Sequence, residues 1–142
     1  MELDQKNAVV PLLLGLVSTV RDRCQYHEME ICRKLKLTPS QLACLLAVPE
    51  QACEFNVDQV ARVMGLSTSR ASRVADSLVC SDLFCAESDR RIHLLALTPA
   101  GRKNHHEACI LLDECEKNLL SKLSNQRIGE LEEALKTLVE AW

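Results

Sequence analysis

The stretch VDQVARVMGLSTSRASRVADSLVC, residues 57–80, decides the fold of this chain. Its apolar residues recur every three or four positions on both sides of the short interval MGLS, which indicates two amphipathic helices joined by a tight turn. Asn56 precedes the first helix and Ser67 precedes the second, each at an N-cap position where a side-chain oxygen accepts a backbone N–H. Gly65 is suited to end the first helix. The stretch therefore predicts a helix-turn-helix whose second helix begins directly after Ser67.

After this pair of helices, the pattern changes to two short apolar runs, LFCA at 83–86 and IHLLAL at 92–97. The polar residues 87–91 separate the runs, as expected for the tip of a β-hairpin. Thr98 and Pro99 follow, and together they favour a new helix, because threonine is a good N-cap and proline suits the first helical position. A helix-turn-helix followed by such a hairpin is a winged helix-turn-helix.

Further helices are predicted on both sides of this unit. Residues 4–35 carry apolar side chains alternately three and four apart, the stripe of one long helix. A second helix begins at Thr38 and Pro39, and two C-terminal helices cover about 99–123 and the residues after Ser124 or Asn125. The sequence thus predicts a mainly α (α+β) fold with six helices and a two-stranded β-wing.

Composition narrows the function classes. The 142 residues are 47% hydrophobic and 26% charged, typical of one globular domain. No run of about 18 apolar residues is present, so we expect a cytoplasmic protein without a membrane partner. The eight cysteines include no C-x-x-C pair, which argues against a zinc knuckle or a thioredoxin-like motif. There is no glycine-rich phosphate loop, H-E-x-x-H motif or nucleophile elbow, so we expect no enzyme activity.

The net charge of −3 is distributed unevenly along the chain. Residues 54–104 carry seven basic and six acidic side chains, a net charge of +1, and six of the seven basic ones are arginine. Residues 105–142 carry four basic and eight acidic side chains, a net charge of −4. An arginine-rich surface in the middle of the chain can therefore bind phosphates although the whole chain is acidic.

The segments VDQVARVMGLSTSRASRVADSLVCSDLF and DRRIHLLALTPAGRK resemble the MarR-type (multiple-antibiotic-resistance regulator) transcription factors. The wing motif D-R-R-x-x-x-x-x-L-T-x-x-G-R is the most specific part, and the resemblance covers essentially the whole chain. It implies a homodimer that binds double-stranded DNA at a pseudo-palindromic operator. Residues 1–37 and 99–142 would form the dimerisation region, and residues 38–98 the winged DNA-binding region. It also implies a repressor whose operator affinity an effector switches.

The resemblance further implies which residues contact DNA. It assigns base-edge contacts to the N-terminal end of the recognition helix, at Ser67, Thr68, Ser69 and Arg70. Arg73, one turn further, would reach a phosphate or a guanine edge. Arg90 and Arg91 would enter the minor groove, with Asp89 holding the wing arginine. The wing departs from the family in having only four residues between Phe84 and Asp89. Taken alone, these residues also fit a solvated helix start and hairpin tip, and a winged-helix module for protein contacts is the alternative function.

The sequence leaves the effector open. The stretch NHHEACILLDEC, residues 104–115, places His105 and Cys109 four residues apart on one helical face. Such residues pack into cores, ligate metals or react with oxidants. The redox candidates are Cys24, Cys80, Cys85 and Cys109. The candidate ligands for a zinc-like or other transition metal are Cys24, His27, His105 and Cys109.

Members of the family sense zinc, peroxides, or small apolar or phenolic ligands. The resemblance therefore implies that any of these three classes could be the effector of this chain. The metal hypothesis departs from the family, because the helix-5 position where a histidine is expected is Ala108 or Leu112. A small-molecule pocket would lie between the dimerisation and winged regions. It would be largely aliphatic, because the chain has only four aromatic residues.

Overall fold

The computed structural model describes residues 2–86 and 94–141, with the side chains from residue 9 onward. The elements, in chain order, are α1 Glu2–Leu35, α2 Pro39–Ala47, β1 Phe55–Asn56, α3 Val57–Met64, α4 Thr68–Cys80, β2 Phe84–Ala86, β3 Leu94–Leu97, α5 Pro99–Leu120 and α6 Asn125–Ala141. These elements confirm the mainly α winged helix-turn-helix. Within the described residues, no helix combines the length and apolarity needed to cross a membrane.

The helix boundaries follow the caps that the sequence predicts. The Thr38 hydroxyl accepts a hydrogen bond from the backbone of Gln41, whose side chain returns one to the Thr38 backbone. Asn56 forms the same kind of capping box at the start of α3. Gly65 ends α3 in the left-handed conformation, with a φ of 66°, which a residue without a Cβ adopts at no steric cost. Ser67 caps α4.

The two predicted wing strands are present as β2 and β3, and a third strand, β1, extends the sheet. Strand β3 lies between β1 and β2 and is antiparallel to both. Leu95 pairs with Phe55 of β1, and Leu97 pairs with Phe84 of β2. The rings of Phe55 and Phe84 meet edge to face at 4.9 Å. Strand β1 has only two residues, too few to show an alternating pattern, so the sequence favours a loop there.

The chain divides into two compact units, residues 1–108 and residues 109–142. The first unit has a well-packed core formed by the C-terminal end of α1, helices α2 to α4 and the sheet. Its fully buried side chains include Cys44, Leu45, Leu78 and Phe84. In the second unit, none of the described side chains is buried.

Large apolar side chains are exposed in each unit. In the first unit they cover the N-terminal half of α1 from Val9 to Val20. The side chain of Val20, for example, is 61% exposed. In the second unit they lie on the end of α5 and along α6, where Leu119 is 64% and Val139 is 76% exposed. Contiguous apolar surface of this kind is typical of an interaction surface.

The start of α5 is fixed to the corner between α4 and β2. The Thr98 hydroxyl donates to the Asp82 carbonyl at 2.6 Å and accepts from the Gly101 N–H at 3.0 Å. The Thr98 N–H donates to the Leu83 carbonyl at 3.0 Å. Gly101 packs so closely on Leu83 that a Cβ would overlap its carbonyl oxygen. The L-T-x-x-G part of the wing motif therefore holds the start of α5 against the corner between α4 and β2.

Candidate nucleic-acid interface

Helix α4 presents the predicted recognition residues on one side and packs into the core on the other. Its buried residues are Ala71, Ala75 and Leu78. The small alanine side chains allow α4 to lie close to the helices beneath it. The predicted DNA-contacting residues on this helix are all exposed: Ser67, Thr68, Ser69, Arg70 and Arg73. The structure thus brings these five residues together on the outer surface of the helix-turn-helix.

Hydrogen bonds hold the start of α4 in place. The Ser67 hydroxyl accepts from the Arg70 N–H at 3.3 Å, which caps the helix. The Thr68 hydroxyl donates to the Asp58 carboxylate at 3.1 Å, which links α4 to the first turn of α3. Asp58 is a residue that sequence reasoning missed, because an acid at this position is already explained by the helix dipole. Among the described residues, the Ser69 hydroxyl has no hydrogen-bond partner, so it is available to a ligand.

The positive charge of this surface is not neutralised within the described chain. The ion pairs found there are Arg21–Asp22, Arg33–Glu30 and Lys136–Glu132, none of them in α3 or α4. Arg70 and Arg73 therefore project into solvent without a carboxylate partner, as does Arg62 in the last turn of α3. Arg62 was not among the predicted site residues. Unpaired guanidinium groups beside a capped helix start are suited to phosphates and to guanine edges.

The predicted wing residues Asp89, Arg90 and Arg91 lie outside the described residues. Strands β2 and β3, which flank residues 87–93, are described. The roles of these three residues in the minor groove stay predictions.

No protein-family model and no curated protein matches the chain. Solved structures do match its fold. A MarR family protein from Bacillus stearothermophilus is 20% identical with a TM-score of 0.69, and the match covers 95% of this chain and 96% of that one. Apo MarR from E. coli is 20% identical with a TM-score of 0.63, over 87% of this chain and 93% of that one. The chain has the MarR-type winged-helix fold.

A further solved structure that matches this chain is BpsR from Bordetella bronchiseptica, whose DNA binding is regulated by 6-hydroxynicotinic acid. It is 20% identical to this chain with a TM-score of 0.62, and the match covers 88% of this chain and 98% of BpsR. At 20% identity, such a likeness shows the fold of the chain.

The eight cysteines of this MarR-type chain are all at described positions, and none forms a disulfide bond. Of the four redox candidates, Cys24, Cys80 and Cys85 are exposed and Cys109 is half-buried. Cys85 lies on β2 with its Sγ 3.6 Å from the Ala96 carbonyl oxygen. The exposed thiols are therefore accessible to an oxidant.

Two other cysteines are core residues. Burial raises the pKa of the Cys44 thiol to about 12. Burial and the nearby charge of Glu28 raise the pKa of Cys32 as well. A buried thiol with a raised pKa is a poor nucleophile, so Cys32 and Cys44 serve as apolar core residues.

The predicted metal ligands have different surroundings. His27 is exposed, with its ring edge-on to Tyr26 at 5.9 Å. His105 is buried, and its Nε2 lies 3.1 Å from the Val48 carbonyl oxygen. Among the described residues of the single chain, no group of three or more His, Cys, Asp or Glu side chains is placed to hold a metal ion. A metal site completed by a second chain stays a prediction.

One cleft of about 160 Å³ lies in the unit of residues 1–108. Its lining residues are Glu50, Leu97, Arg102, His105 and His106. Most of these side chains are charged or polar, so this cleft differs from the largely aliphatic pocket that the sequence predicts for a small apolar effector.

Proposed function

We propose that this protein is a dimeric, sequence-specific DNA-binding transcriptional regulator. The observation that carries the proposal is the exposed start of α4, where Arg70 and Arg73 have no acidic partner among the described residues. A helix with this composition, carried on a winged helix, has the dimensions and donors needed to enter a major groove.

The outer face of α4 favours DNA over a protein-interaction module. Its exposed residues from position 68 to position 76 are polar or charged: Thr68, Ser69, Arg70, Arg73 and Asp76. Protein interfaces bury a core enriched in aromatic and apolar side chains, which this face lacks. Solved proteins of the same fold are described as transcriptional regulators, among them one from Silicibacter pomeroyi and one from Rhodococcus, which supports the same function here.

The proposal is tested by selection from a pool of DNA duplexes. The purified chain is incubated with duplexes that carry a randomised segment of about 30 base pairs, enough for two half-sites one helical turn apart. We expect a pseudo-palindromic motif to be enriched over repeated rounds. A folded protein that enriches no motif would contradict the proposed function.

The dimer is proposed from the exposed apolar surfaces. Side chains such as Leu13 and Leu16 on α1, and Leu131 and Val139 on α6, are left in solvent by the single chain. Covering them with a second copy would stabilise the protein by about 25 cal/mol for each Å² of apolar surface buried. A two-fold symmetric dimer would also present two α4 helices to a pseudo-palindromic site.

A charge placed in this apolar surface should separate the subunits. We expect Leu16→Asp to weaken dimerisation by roughly 100-fold or more, because an unpaired carboxylate is costly to bury. Sedimentation equilibrium should then give a mass near 15.9 kDa for the variant and about twice that for the parent protein. Gln25→Asp, an exposed polar position on the same helix, is the control and should remain dimeric. A dimeric Leu16→Asp protein would exclude this part of α1 from the interface.

For the effector, we propose oxidation of exposed thiols. Cys80 ends α4 and Cys85 lies on β2, on opposite sides of the corner that positions the recognition helix. Cys24 is exposed on α1, within the helix proposed to form the dimer. The thiolate sulfur attacks one oxygen of hydrogen peroxide, the O–O bond breaks, and the products are a sulfenic acid and a hydroxide that takes up a proton to become water. A change at any of these positions can favour one dimer conformation over another.

Peroxide should therefore lower the affinity for the selected duplex by about tenfold or more, within the range of typical allosteric coupling. The measurement compares the parent protein, Cys24→Ser and the double variant Cys80→Ser/Cys85→Ser, before and after treatment. The variant whose affinity for the duplex is not lowered by peroxide identifies the sensing cysteine. Unchanged affinity of the oxidised parent would contradict redox control. Metal content per dimer would then test metal sensing, and affinity in the presence of a small phenol would test small-molecule sensing.

A further inference from the structure

Asp76 shares the exposed face of α4 with the proposed DNA-contacting residues. It follows Ser69 by seven positions, so the two residues lie within about 20° of each other around the helix and about 10 Å apart along it. Arg73 lies between them, and all three are exposed. The buried residues Ala71 and Ala75 are on the opposite face.

The Asp76 carboxylate makes no contact among the described residues that would stabilise α4. Asp76 forms no ion pair or hydrogen bond with any described residue, and Arg73, three residues earlier, is not within ion-pair distance. Asp76 also lies nearer the C-terminal end of α4 than the N-terminal end, where a negative charge gains nothing from the helix dipole. Among residues 9–86 and 94–141, Asp76 therefore has no intramolecular partner, whereas Ser67 and Thr68 each have one.

A carboxylate on this face would meet a highly negative ligand. Phosphates repel it, so it weakens every complex in which it finds no hydrogen-bond donor. In the major groove the donors are the amino groups of cytosine N4 and adenine N6. In adenine, the N7 acceptor beside the amino group repels a carboxylate. Cytosine has no such acceptor on its major-groove edge, so its amino group is the better partner.

We propose that Asp76 is a specificity-determining residue that accepts a hydrogen bond from a cytosine N4 amino group in each half-site. This inference rests on the proposed function and assigns a base preference to one position of the operator. Asp76 has a second effect, because it opposes binding to sites that present only acceptors at this position. Arg70 and Arg73 then increase the affinity for DNA, and Asp76 increases the preference for one base pair over the others.

The test uses the duplex selected by the parent protein, with each base pair of one half-site replaced in turn by the three others. Affinities are measured by fluorescence anisotropy at one salt concentration. For the parent protein, we expect one position to prefer cytosine by roughly 5- to 100-fold. Asp76→Asn should shift that preference to adenine, because an amide pairs with adenine N6 and N7. Asp76→Ala should remove the preference.

Asp82→Asn is the matched control. It removes the same charge from the same unit, and asparagine tolerates the positive φ of 60° at this position. We expect it to keep the base preferences of the parent. If both Asp76 variants fold and keep the parent's preference at every position, the inference is overturned while the proposed function stands. A parent protein that discriminates no base pairs overturns both.

Discussion

Replacing Gly101 by alanine is expected to destabilise the unit of residues 1–108 by about 3 kcal/mol or more, a large overpacking effect. The added Cβ would overlap the Leu83 carbonyl oxygen, which belongs to the backbone and is fixed by the Thr98 N–H. Relief of the overlap would require α5 to move away from the α4–β2 corner. That movement would break the hydrogen bonds that Thr98 donates to the Asp82 and Leu83 carbonyls.

Gly129→Ala is the control for this prediction. Gly129 is also helical, but a Cβ there meets nothing within 4 Å. In α6 the substitution should raise stability by about 0.5–1 kcal/mol, the helix propensity difference between glycine and alanine. Urea unfolding followed by circular dichroism gives both values. Equal stability of the Gly101→Ala and Gly129→Ala proteins would show that the close packing of α5 on Leu83 is not required.

The double substitution Arg70→Ala/Arg73→Ala is expected to reduce affinity for the selected duplex by roughly 100-fold or more. Each well-placed arginine contact to a base contributes about 1–3 kcal/mol, and neither side chain has an ion-pair partner to lose within the described residues. The fold should therefore be unchanged, and the whole effect should appear in DNA binding.

The single variants separate the two kinds of contact. An arginine that contacts a phosphate should lower the slope of log affinity against log salt by about 1, whereas one that reads a base should relax preference at one position. Arg127→Ala, an exposed arginine on α6, is the control and should bind like the parent. A double variant with parental affinity would show that α4 does not face the DNA.

The helix boundaries could be predicted from the sequence because their causes are local. The Thr38 and Ser67 hydroxyls bond to backbone groups three residues away, so the signal and the structure occupy the same short segment. The turn at Gly65 is equally local. For this reason the helix-turn-helix, and with it the exposed start of α4, follows directly from residues 57–80.

The features that the sequence did not predict depend on contacts between distant residues. Strand β1 forms only because Phe55 pairs with Leu95, forty residues away. The Asp58–Thr68 hydrogen bond joins two helices whose relative position the spacing does not reveal. Gly101 was recognised as part of a motif, but its steric reason, the Leu83 carbonyl, became visible only in three dimensions.

The most direct test of sequence-specific DNA binding by this protein is the ratio of two affinities at the same physiological salt concentration. One is for the duplex selected from the random pool, and the other is for an unrelated duplex of equal length. Specific regulators bind their sites at least about 1000-fold more tightly than other DNA, and we expect a ratio of this size with two chains on each selected duplex. Equal affinities, or no binding to either duplex by the folded protein, would contradict the proposed function.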